Sequence, residues 1–205
     1  VTVPPADAAF AAAFAARRGL DERPFVLWIG TMEPRKNVGV LVAAMASLKR
    51  RHRGRSPAML VLAGYAGWGD PAMIRPADRE WLGEDLIELG RVSERELWAL
   101  YERATVFAFP SLNEGFGFPV LEAMSRGVPV LCADIPVLRD VGAAAATYIA
   151  ADRAEDWADA IQELLDDGGR RDVQAQAGLR RAATFTAERH IAAVRKVHRE
   201  ALALR

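Results

Sequence analysis

The sequence predicts an α/β fold: a parallel sheet with helices on both faces, followed by a helical C-terminal tail. Three observations lead there. Short, nearly continuous apolar runs recur at 25–29, 59–63, 86–89, 105–109, 128–132 and 147–150. Stretches with helix-compatible apolar spacing separate them. Beyond residue 150 only the helical spacing continues. Such runs suit strands buried on both faces, and helical links suit parallel pairing through right-handed crossovers.

The elements follow in order. Residues 1–23 are Ala-rich, begin Val1-Thr2-Val3-Pro4-Pro5 without an initiator Met, and read as an interdomain linker remnant with a short helix at 8–17. The strand at 25–29 leads through Gly30 to Arg35-Lys36-Asn37 and a helix at 38–53. That helix ends in Lys49-Arg50-Arg51-His52-Arg53-Gly54-Arg55. Cations suit a helix C-terminus; contact with anionic lipid is the other reading. The strand at 59–63 ends in Gly64, at the edge where open α/β sheets bind ligands. Trp68 and Trp81 flank an irregular stretch and read as packing residues. After the strand at 86–89 come Arg91 and Val92, then Ser93-Glu94-Arg95-Glu96. The latter reads as a capping box opening a helix at 94–103, with Leu97, Leu100 and Tyr101 on its apolar side. A strand at 105–109, a glycine turn and a helix at 119–126 follow. A helix at 152–167 carries Trp157, Ile161, Leu164 and Leu165. Gly168-Gly169 is expected to break it, before helices at 171–185 and 187–203. The main domain is thus 24–185, with 186–205 as a separate C-terminal helix.

Composition bounds the function. The 205 residues, 51% hydrophobic and 26% charged, suit one folded domain with a sizeable core. Zero formal net charge argues against a nucleic-acid partner, which would call for a broad positive field. Cys132 is the only cysteine, so no intrachain disulfide forms; it reads as a small buried residue. There is no membrane-spanning run, Cys/His cluster, carboxylate metal motif or P-loop lysine pattern. His190 and His198 read as surface residues.

The most informative stretch is Ser111-Leu112-Asn113-Glu114-Gly115-Phe116-Gly117-Phe118-Pro119-Val120-Leu121-Glu122. A strand ending in a glycine turn and a helix start leaves backbone N–H groups free, and with the helix dipole these favour an anion. Carboxylates accept hydrogen bonds from sugar hydroxyls. Five Glu pairs lie eight positions apart: Glu80/Glu88, Glu88/Glu96, Glu94/Glu102, Glu114/Glu122 and Glu155/Glu163. Of these, Glu114/Glu122 alone brackets a glycine turn between strand and helix. Arg35 and Lys36, just before the first long helix, supply a planar fork and a point charge for a second anion contact. Read alone they are equally two solvated loop cations, and Glu114 a solvated turn residue. Core packing suits Phe118 better than Phe116.

The glycine-turn segment, followed by Arg126-Gly127-Val128-Pro129-Val130, resembles the donor-site signature of retaining group 1 glycosyltransferases of two-lobed GT-B architecture (family 4). So do Ile29-Gly30-Thr31-Met32-Glu33-Pro34-Arg35-Lys36-Asn37, Leu62-Ala63-Gly64, Leu89-Gly90-Arg91-Val92-Ser93 and the segment from Ala133 to Gly142. The resemblance implies the Rossmann-like C-terminal lobe of such an enzyme. It implies that Arg35 and Lys36 bind the donor diphosphate and stabilise it as a leaving group, that Glu114 contacts the donor sugar, and that Glu122 binds the ribose. Gly64, Val92, Gly115, Phe116 and Gly117 would line the donor site, Val92 near the base. No cofactor or metal is implied; the donor substrate is a nucleotide-diphosphate sugar, and the segment from Thr31 to Asn37 points to GDP-mannose.

By the same resemblance, the acceptor is a saccharide or lipid-linked molecule held by an N-terminal lobe absent from this sequence. The setting is cytoplasmic, at the inner face of a membrane, with peripheral association. Ile191, Val194, Val197 and Leu202 would face the other lobe, and the fragment alone would bind donor but transfer poorly. Two alternatives stay open. One is a non-catalytic interaction module retaining the fold. The other is a related synthase or phosphorylase, the latter needing a lysine for pyridoxal phosphate.

Overall fold

The structure, a computed structural model, describes residues 4, 7–65, 73–186, 188, 191, 194, 195 and 197–199. Six strands form one parallel sheet: β1 (Phe25–Ile29), β2 (Met59–Ala63), β3 (Leu86–Gly90), β4 (Val106–Phe109), β5 (Val130–Ala133) and β6 (Ala146–Ile149). Their order is β3-β2-β1-β4-β5-β6. The chain runs outward from β1 to one edge, returns, and runs outward from β4 to the other. β1 and β4 are therefore neighbours whose outgoing loops diverge, and open α/β sheets bind ligands at this point.

The central strands β1, β2, β4 and β5 are buried almost throughout, which is why they read as unbroken apolar runs. Helices α2 (Val38–Arg51) and α3 (Pro76–Leu82) link the first three strands, and α7 (Ala154–Asp166) packs on α2. On the other face lie α4 (Glu94–Arg103), α5 (Phe118–Ser125) and α6 (Pro136–Gly142), with α8 (Gly168–Ala182) against α5. α1 (Ala8–Arg18) packs on α4, burying Ala11, Phe14 and Ala15.

Local chemistry explains the boundaries. Ser93 and Glu96 form the capping box that opens α4. α3 and α6 each start at a proline, where the missing N–H has no intrahelical partner to lose. β5 begins two residues later than the apolar run, because Val128 gives its N–H to Ala123 and Pro129 has none to give.

Gly168-Gly169 does not break the chain's helical run as expected. The break falls at Asp167, and the glycines form the first turn of α8, capped by the Asp167 side chain accepting from Arg170 N at 2.9 Å. A first turn lacks upstream hydrogen bonds anyway, so a good cap outweighs glycine's low helix propensity there. The helix expected at 187–203 falls largely outside the described residues, with Leu202, His190 and Lys196; Trp68 is outside them too. Ile191, Val194 and Val197 are helical and exposed, as is His198.

Candidate functional site

The site is built on the carboxyl edge of the sheet where β1 and β4 part. After β1 the chain turns through a short 3-10 segment, Pro34–Lys36, into α2. Lys36 is 9% exposed. Its ammonium donates to Glu114 Oε1 at 2.7 Å and lies 5.1 Å from the centre of the Phe109 ring. Arg35 Nη1 lies 3.1 Å from Glu114 Oε2 and donates to the Asn113 carbonyl at 2.7 Å, while Nη2 donates to Glu33. Leu112 N donates to the Arg35 carbonyl at 2.8 Å, stitching the two loops together. Partial burial pulls the Arg35 pKa down, but the Glu114 and Glu33 carboxylates hold it above its ordinary value.

Glu114 thus joins residues 78 positions apart in sequence. Beyond it, Gly117 takes a left-handed conformation, φ 94°, and α5 starts at Phe118 with no side-chain cap. A side chain at Gly117 would press on Leu138, its Cβ falling 2.6 Å from Leu138 Cδ2. Among the described residues, the N–H groups of Gly115, Phe116 and Gly117 donate to no partner. Backbone donors beside a helix start and two cations make a place for phosphate oxygens.

Glu122 lies on α5 with its carboxylate half-buried. Burial raises its pKa, and a hydrogen bond from the Tyr101 hydroxyl, 2.9 Å from Oε2, opposes that rise. Among the described residues it makes no hydrogen bond or ion pair with Lys36 or Glu114.

The remaining candidates are more peripheral. Gly64 ends β2 with φ 148°, and a Cβ there would fall 1.7 Å from the Gly30 carbonyl oxygen. Its lack of a side chain lets the loops after β1 and β2 touch, a packing requirement. Val92 is partly buried against the core, and Arg91 stacks 5.1 Å over the exposed Tyr65 ring.

The two phenylalanines reverse the expected order. Phe116 packs against the core and meets the Phe185 ring edge-on at 5.9 Å, whereas Phe118 is 57% exposed. α5 buries Val120, Leu121, Ala123 and Met124, and its first residue falls off that face.

Three contributors were missed. Asn37 directly precedes α2, and its side chain does not cap the helix. It sits at φ 51° and donates to the carbonyls of Ala151 at 2.7 Å and Pro110 at 3.3 Å, tying the β1 loop to the ends of β4 and β6. Glu33 stands in a segment that carries the family resemblance, but no role is assigned to it there. Tyr101 read as one more apolar position of α4.

Residues 12–181 match the model of a family described as glycosyl transferases group 1. The chain belongs to this family. The O-antigen chain mannosyltransferase B of Escherichia coli is 37% identical over 80% of this chain and 42% of its own length. Sucrose-phosphate synthase from Thermosynechococcus elongatus superposes with a TM-score of 0.74 at 26% identity, over 95% of this chain and 49% of that one. The Anabaena protein Alr3699/HepE, solved in complex with UDP, gives 0.78 at 17% identity over 98% and 54%, a likeness of fold. The chain therefore spans about half or less of these glycosyltransferase-fold proteins and relatives.

Elsewhere on this group 1 domain the charges are used internally. Lys49 binds Asp85 at 2.8 Å and the Leu82 carbonyl at 2.9 Å, and lies over the exposed Trp81 ring. Arg51 pairs with Glu155 and Asp159, and Arg50 lies 3.6 Å from Asp78. The basic end of α2 is thus largely neutralised by neighbouring acids. Cys132 is buried, its thiol pushed up to about 12 by burial and by the nearby Asp134. Among the described residues no helix is long and apolar enough to cross a membrane, and no group of three or more His, Cys, Asp or Glu is placed to hold a metal ion.

Proposed function

We propose that this chain is the donor-binding domain of a retaining glycosyltransferase that transfers mannose from GDP-mannose to a saccharide or lipid-linked acceptor. One observation carries the reading: Arg35, Lys36 and Glu114 meet where β1 and β4 part, beside three backbone N–H groups with no partner among the described residues. The two cations and the N–H groups bind the diphosphate and stabilise the charge that develops as it leaves. Glu114 turns to the donor sugar, and Glu122 accepts from the ribose hydroxyls.

The acceptor hydroxyl attacks from the face the diphosphate leaves, so the anomeric configuration is kept. The mannosyltransferase relative supports the choice of sugar. The greater length of the relatives supports a second lobe that brings the acceptor. Work in the cytoplasm, at the inner face of a membrane and in polysaccharide or glycoconjugate synthesis, belongs to the same proposal.

Calorimetric titration of the chain with GDP, UDP, GDP-mannose and UDP-glucose tests it. Binding of at least one diphosphate, weakened about tenfold or more by Lys36→Ala, is expected. A folded chain that binds none of the four would overturn the reading and favour an interaction module. Rapid transfer to a saccharide by this chain alone would overturn the second-lobe part.

A further inference from the structure

Glu122 is held by a residue the donor-site reading does not use. Tyr101, on α4, is 1% exposed, and its ring is packed between Trp98 at 5.7 Å and Phe107 at 5.6 Å. The phenol oxygen reaches two acceptors, Glu122 Oε2 at 2.9 Å and the Pro119 carbonyl at 3.4 Å. A phenol has one proton to give, and the shorter contact to a charged acceptor takes it. Burial, reinforced by the Glu122 charge, pushes the phenol pKa well up, so it stays a donor throughout the neutral range. Glu122 Oε1 has no partner among the described residues.

We propose that Tyr101 is a positioning residue for ribose recognition: by holding Oε2 it fixes the Glu122 side chain so that Oε1 accepts from the vicinal hydroxyls of a bound nucleoside diphosphate. The inference rests on the donor-site reading and deepens it. A carboxylate on a free helix face samples several rotamers, and a ligand must select one of them. One fixed from behind by a phenol on a second, rigid helix is ordered before the ligand arrives. The aromatic packing of Tyr101 holds the phenol itself still, which a serine or a solvent-exposed tyrosine would not do.

Tyr101→Phe removes the hydroxyl and keeps the ring packing. The measurement is calorimetric affinity for GDP and 2′,3′-dideoxy-GDP, with UDP and its dideoxy analogue in parallel, for wild type, Tyr101→Phe, Glu122→Gln and the double variant. Wild type is expected to prefer the ribose forms by about tenfold. Tyr101→Phe is expected to lose about fivefold on the ribose forms while dideoxy affinity stays within about twofold. In the Glu122→Gln background the same change is expected to leave the preference unaltered, because the tyrosine acts through the carboxylate.

A merely structural tyrosine would weaken both nucleotide forms alike, and that result overturns the inference. So does an unchanged ribose preference in Tyr101→Phe, or a wild type that binds with no ribose preference; each leaves the diphosphate site standing. A folded wild type that binds no nucleotide overturns the donor-site reading and the inference with it. Should Tyr101→Phe fail to fold by circular dichroism, Glu122→Asp is the second variant. It draws the carboxylate back from the phenol, and loss of ribose preference with unchanged dideoxy affinity is expected, equal losses on both forms counting against the inference.

Discussion

Lys36 and Glu114, 78 residues apart, are joined by a 2.7 Å hydrogen bond in which the ammonium donates to Oε1. With Arg35 beside the other carboxylate oxygen, both cations are met by an internal acid. On the proposed donor-site reading, a diphosphate competes with that acid for the same two cations. Glu114→Gln removes the competitor. Free GDP is then expected to bind about fivefold more tightly, the size of one screened charge contact near a protein surface. GDP-mannose is expected to gain less if Glu114 contacts the donor sugar as proposed. Titration of the variant with both ligands measures this, and weaker GDP binding would show that the carboxylate does not compete.

Glu122 gives a pH signature. Burial puts its pKa above the ordinary 4.5 despite the Tyr101 hydrogen bond. Protonation removes its charge and one of its acceptor positions, so nucleotide affinity is expected to fall as pH drops through that raised value. The stability effect has the opposite sense. A raised carboxylate pKa means the native state holds the proton more tightly than the unfolded state. This group therefore favours folding on the acid side, and its contribution declines as pH rises from 4.5 through the raised value. Glu122→Gln abolishes both slopes. Urea midpoints of the two proteins should diverge in favour of the glutamine variant as pH rises toward neutral, while acids with lowered pKa values, such as Glu155 and Asp134, cancel in the difference.

Two glycines of the site separate by mechanism. Gly64→Ala puts a Cβ 1.7 Å from the Gly30 carbonyl oxygen at a φ of 148°, against Gly30 backbone with no flexible side chain to yield. A loss of about 3 kcal/mol or more is expected, read from urea unfolding. A Cβ at Gly115 meets nothing within 4 Å. Gly115→Ala should fold with wild-type stability, so any effect on nucleotide titration reports approach of a ligand to that turn.

The sheet was legible because each central strand is covered on both faces and so carries an unbroken apolar signature; Val26, Leu60, Phe107 and Leu131 are fully buried. The meeting of Lys36 with Glu114 was not legible from spacing. It depends on β1 and β4 being neighbours, and a strand order that reverses leaves no local mark in the chain. Asn37 shows the same limit from the other side. Its position before a helix is a local signal for capping, but a left-handed backbone turns its amide toward Ala151, 114 residues away. Phe116 and Phe118 were misassigned because two residues across a glycine turn have no periodicity to rank them. The packing of Phe185 on Phe116, which comes from the far end of the chain, decides the matter.

Ala143 holds a strained backbone that substitution should relieve. It follows α6 at φ 48°, ψ −127°, a conformation in which a Cβ crowds the neighbouring carbonyl and which glycine adopts freely. The strain persists because the turn is fixed from both sides: Tyr148 donates to the Ala143 carbonyl at 2.7 Å, and Arg181 Nε reaches the Val141 carbonyl at 2.8 Å. Ala143→Gly removes the crowded Cβ but widens the conformational freedom of the unfolded chain, and the two effects oppose each other. At a positive φ the native strain is the larger, so a net gain of about 1 kcal/mol is expected. A higher urea midpoint with an unchanged slope measures it. Nucleotide binding should be unaltered, since the turn joins α6 to β6 and, among the described residues, makes no hydrogen bond with Lys36 or Glu114. A lower midpoint would mean that unfolded-state entropy outweighs the strain.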